Sequence, residues 1–123
     1  MSNIAPVYKD ITAFGGTSEY HRMPLYNGFV YTDGVDEMAK KLNAYWVFDV
    51  IATNIIDLKV RQDFILVKVE TDLEDNSANL ILDDGNGNVL RTQGIPFTDL
   101  KYSLKLYAVR GRDRYVILLP EEY

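Results

Sequence analysis

Residues 33–56 carry apolar side chains at helical spacing for roughly 24 residues, about 36 Å of helix, and one carboxylate sits in the middle of the stripe. At about 100° per residue, Val35, Met38, Ala39, Leu42, Tyr45, Trp46, Val50 and Thr53 share one side. Asp49 projects between Met38 and Leu42 on that side. A charge in an apolar stripe has to be paired, neutralised or used, because burying it alone is costly. Read functionally, Asp49 is a recessed acid with a raised pKa, or an anchor for a polar ligand beside Trp46 and Tyr45. Read structurally, it forms a buried ion pair, with Arg22 or His21 as the expected partner, or accepts hydrogen bonds from a tyrosine hydroxyl or backbone amides. Thr32 or Asp33 suits the N-cap, and Asp36 and Glu37 suit the positive end of the helix dipole. A helix this long invites a kink or an early stop near Asn54.

The back of the same stretch changes character along its length. Asp36, Glu37, Lys40, Lys41 and Asn43 are polar, whereas Val47, Phe48, Ile51 and Ile55 are apolar. The second half is thus apolar nearly all round, and both sides need cover. A sheet can supply one cover. A second copy of the chain, making a homodimer, or a short N-terminal helix over residues 4–14 must supply the other. The homodimer version makes Val47, Phe48, Ile51 and Ile55 interface residues.

From Phe64 the period switches from helix to strand. Strands are predicted at 64–71, 78–82, 89–93, 102–109 and 115–119, with Asp83-Asp84-Gly85-Asn86-Gly87-Asn88 as a strong turn between the second and third. Helices first and hairpins afterwards predict an α+β fold: one short N-terminal helix and one long helix packed on an antiparallel sheet of about five strands. The expectation is a single domain over 1–123, mainly helical to residue 62 with an irregular segment at 15–31, then a β meander.

Composition removes several function classes. The chain has no cysteine and a single histidine, His21, which excludes thiol catalysis, disulfides and any metal site needing two histidines. A formal charge of −5, from 13 basic and 18 acidic residues, argues against general attraction to nucleic acid or an anionic membrane. The longest apolar run, residues 44–52, is too short to span a bilayer. The start of the chain has no signal-peptide pattern. A cytoplasmic protein without cofactor or metal is expected.

Short motifs are spread along most of the chain: Gly16-Thr17 with Tyr20-His21-Arg22, Tyr31-Thr32-Asp33-Gly34-Val35, Ala44-Tyr45-Trp46 with Asp49 and Ile51-Ala52. They continue through Asp84-Gly85-Asn86 with Val89, Phe97-Thr98-Asp99, and Leu118-Leu119-Pro120 with Glu122-Tyr123. With these the chain resembles a small family of bacterial and phage proteins known only as a domain of unknown function. The resemblance implies a compact domain often carried on mobile elements, and no activity, cofactor or catalytic residue.

Candidate chemistry is concentrated in the irregular segment. Tyr20, His21, Arg22 and Tyr31, bordered by Trp46 and Asp49, combine the aromatic and guanidinium groups favoured at binding hot spots. The expected function is a non-enzymatic, acidic binding protein of phage or mobile-element type that blocks a host protein or sequesters a small ligand. Two alternatives remain: a small hydrolase using Glu19, His21 and Asp49, which requires the three to converge on one cleft, or a structural subunit of a larger assembly. Residues 84–88 alternate acids and amides as a calcium loop does, but Val89 stands where such a loop needs glycine and Ile95 where it needs a bidentate glutamate. A plain hairpin turn is expected there. Arg110, Arg112 and Arg114 make a basic hairpin tip, either solvated or able to clamp an anion.

Overall fold

The structure, a computed structural model, describes residues 5–7, 20–58, 62–112 and 114–123. In chain order its elements are β1 (Tyr20–Arg22), β2 (Phe29–Thr32), α1 (Asp33–Leu42), α2 (Trp46–Leu58), β3 (Phe64–Asp72), β4 (Ser77–Asp83), β5 (Val89–Ile95), β6 (Leu104–Arg110) and β7 (Tyr115–Leu118). A 3₁₀ turn at Pro120–Glu122 follows. The strands form one sheet in the order β1-β2-β7-β6-β3-β4-β5. All neighbours are antiparallel except β2 and β7, which run parallel.

The expected layout is corrected in three respects. The sheet has seven strands and is mixed, instead of about five antiparallel ones, because the irregular segment contributes β1 and β2. The single long helix is two helices. Of the expected N-terminal helix, residues 5–7 are instead joined to the sheet: the Ala5 amide donates to the Thr71 carbonyl at 2.6 Å and Val7 bridges Ser103. Residues 4 and 8–14 lie outside the described residues.

Strict alternation builds the central layer. In β3, Ile65, Val67, Val69 and Thr71 are fully buried while their neighbours are half-buried, as a strand with one covered face requires. Leu104, Leu106 and Ala108 of β6, Leu80 and Leu82 of β4 and Ile117 of β7 continue that face into one core. Val35, Met38 and Ala39 of α1, with Val47, Phe48, Ile51, Ala52 and Ile55 of α2, cover it. The opposite face holds the Phe64, Tyr107 and Tyr123 rings, packed edge to face at centroid distances of 4.8 to 5.4 Å.

The helices are divided by cap chemistry. Thr32 caps α1, its Oγ1 accepting from the Val35 amide at 3.2 Å, and it donates to Glu122 Oε1 at 2.7 Å. At the other end Asn43 is left-handed, with φ 53° and ψ 48°, a conformation asparagine tolerates and helices end on. The stop thus falls at Asn43 and not near Asn54, which lies inside α2. There Asn54 Nδ2 donates to the Val50 carbonyl at 2.8 Å and to Gln93 Oε1 at 2.6 Å. With the Asp57–Arg91 ion pair at 2.6 Å, this holds α2 along β5. No helix among the described residues is long and apolar enough to cross a membrane.

Candidate functional site

The break at Asn43 resets the helical phase, and that decides where Asp49 goes. It lies in the first turn of α2 and is exposed, not recessed in the apolar stripe. Its carboxylate meets no hydrogen-bond or ion-pair partner among the described residues. Neither Arg22 nor His21 pairs with it: His21 Nε2 lies 2.7 Å from Asp33 Oδ1. Val47, Phe48, Ile51 and Ile55, the expected interface residues, are 0–4% exposed within the single chain and belong to its core.

The β1–β2 pairing brings His21 opposite Tyr31, and their rings stack at 5.3 Å with planes 13° apart. Tyr31 packs on Phe48 at 4.5 Å, and Phe48 meets Tyr45 edge to face at 5.8 Å. A row of four rings therefore runs from the sheet edge to the start of α2. Each end is tied to an acid of α1: His21 to Asp33, and the Tyr45 hydroxyl, donating at 2.9 Å, to Asp36 Oδ1. The bond to Asp36 is the main reason the Tyr45 phenol is pushed up from 10.0 to about 12. Burial, then the charge of Asp36, raises the Tyr31 phenol. Both stay protonated at neutral pH.

Beside this row opens a groove of about 570 Å³. Met23, Pro24 and Leu25 of the β1–β2 connection form one wall. Tyr31, Tyr45, Trp46, Phe48 and Asp49 form the rest. Trp46 also lines an adjoining cavity of about 280 Å³ with Ile95, Phe97, Thr98 and Asp99. Leu25 and Phe97 are 77% and 76% exposed, large apolar side chains left in water at the two rims.

Three expected site residues, Tyr31, Trp46 and Asp49, thus meet in one groove. His21 stands behind Tyr31 and does not line it. Tyr20 and Arg22 alternate to the opposite face of β1, where Arg22 and Arg114 line a separate cleft of about 260 Å³ and the Arg114 guanidinium lies 5.4 Å from the Tyr20 ring centre. Glu19 lies outside the described residues. Sequence reasoning missed Met23, Pro24 and Leu25 as lining, and the available signal was an apolar Met-Pro-Leu run inside an otherwise polar-flanked loop. The Asp83–Asn88 turn is closed by its own acids. Asp83 Oδ1 accepts from the amides of Gly85 at 2.6 Å and Gly87 at 3.3 Å. The Asn88 side chain, then the Asn86 amide, hold the Asp84 carboxyl below its usual range. No group of three metal-ligating side chains occurs among the described residues.

A family profile for a family of unknown function, DUF6876, matches residues 6–123. The chain belongs to that family. No curated protein and no solved structure matched it. The match covers β1 to the final 3₁₀ turn, so every lining residue of the groove lies inside the family's region.

Proposed function

We propose that this family member is a non-catalytic binding protein whose site is the groove between the β1–β2 connection and the start of α2. One observation supports it above the others: an aromatic-lined groove of about 570 Å³ with large apolar side chains exposed at its rim. Pockets of that size and lining bind ligands, and tyrosine and tryptophan anchors dominate partner recognition. Trp46 borders both cavities, so an occupant that buries Leu25 and Phe97 together has to span them. That extent favours a protein partner over a small ligand. In the setting of a phage or mobile element, the partner is a host protein that the chain blocks. The hydrolase alternative gains no support, since His21 is bound to Asp33 and does not line the cavity that Asp49 lines.

Native mass spectrometry of gently purified protein, run beside the Leu25→Asp and Tyr45→Ala variants, tests this reading. Retained mass on the parent chain that both surface variants lose is the expected result. Retention unchanged by both substitutions would place binding elsewhere on the molecule.

A further inference from the structure

Building on the reading of this groove as a partner site, we propose that its occupant is a basic side chain, an arginine or lysine presented by a protein partner. The charge of the lining carries the argument. Among the described residues, Asp49 is the charged residue lining the larger cavity and Asp99 the one lining its neighbour, and no lysine or arginine lines either. Arg22 and Arg114 line a separate cleft beyond Met23.

The rings add to this. The faces of tyrosine and tryptophan carry negative quadrupole density and attract a cation within about 6 Å. Tyr45 donates its hydroxyl to Asp36, which enriches its ring and sets a further carboxylate behind it. A neutral guest covering the groove would strip water from the Asp49 carboxylate and return no partner, at a cost. An acidic guest would meet like charges. A basic side chain meets the carboxylate with its charged end and the rings with its stem or plane, and arginine does both best. A free small cation would leave Leu25 and Phe97 in water. A side chain carried on a protein surface covers them.

Trp46 is the chain's single tryptophan, so its emission reports on the groove directly. The probe is a blocked Gly-Leu-Arg-Leu-Gly peptide, compared with peptides holding citrulline, glutamate or leucine at the centre. The arginine peptide is expected to change Trp46 emission saturably and to bind about tenfold tighter than the citrulline peptide. That advantage should shrink with added salt and in Asp49→Asn, whose exposed site leaves the fold intact. Equal binding of arginine and citrulline peptides, or tighter binding of the glutamate peptide, overturns the assignment of charge. Binding led by the leucine peptide overturns it too, and leaves the groove as a partner site. No response to any peptide, in emission or in amide NMR shifts of residues 23–25 and 45–49, sinks both readings. Blocked arginine alone binding as tightly as the pentapeptide overturns the protein source.

Discussion

Tyr45 is an exposed residue whose chemistry is set by a neighbour nine positions earlier. Its hydroxyl donates to Asp36, and that bond holds the phenol at about 12, above its ordinary 10.0. A raised folded value means the bond stabilises the fold below pH 10 and is lost as pH rises through 12. Asp36→Asn should return the Tyr45 titration toward 10, followed by ring-proton NMR shifts; an unmoved titration would remove Asp36 as the cause. Asp49 teaches the opposite lesson about reading single residues. Counting 100° per residue through Asn43 places it in an apolar stripe, but one left-handed residue there changes the helix axis and makes that count meaningless. The sequence held the necessary letter, since asparagine commonly ends helices. Nothing local distinguished it from a surface position in a continuous helix.

At the scale of elements, α1 is fastened by a residue from the far end of the chain. Glu122 Oε1 accepts from the Thr32 hydroxyl at 2.7 Å and from the Leu119 amide at 2.9 Å. Its carboxylate comes so near Gly34 that an added Cβ would stand about 2.9 Å away. Glu122→Ala should lower stability by about 1–2 kcal/mol in chemical denaturation, the worth of the bonds removed. Gly34→Ala should destabilise the parent by displacing this latch. In the Glu122→Ala background the same substitution should instead stabilise by up to about 1 kcal/mol, because alanine outranks glycine in a helix. Additive effects would show that Gly34 is not reserved for the carboxylate. The strands from β3 onward were legible because adjacent hairpins and a period of two are local signals, and their boundaries shift by only a few residues. β1 and β2 were not. Three and four residues long and separated by Pro24 and Gly28, they are defined by pairing with each other and, for β2, with the distant β7, which no local pattern announces.

For the molecule as a whole, one core does the work that the sequence divided between a core and an interface. Ile51 is completely buried within the single chain. Ile51→Ala should cost about 2–5 kcal/mol, with the same loss at low and high protein concentration. A loss that grew on dilution would restore an intersubunit role. The candidate site was legible in half: aromatic and acidic groups near Trp46 could be anticipated, while their separation from Tyr20 and Arg22 depended on strand alternation in an unrecognised β1.

The parallel pairing of β2 with β7 also orders events in time. β2 carries Tyr31 and follows the Met23–Leu25 wall, and among the described residues its strand neighbours are β1 and β7, the latter far along the sequence. On the ribosome, β1 and β2 are made before the remaining strands, and β2 joins the rest of the sheet only once β7 has been synthesised. A chain interrupted before β7 therefore lacks the strand that joins β2, and with it Tyr31, to the rest of the sheet.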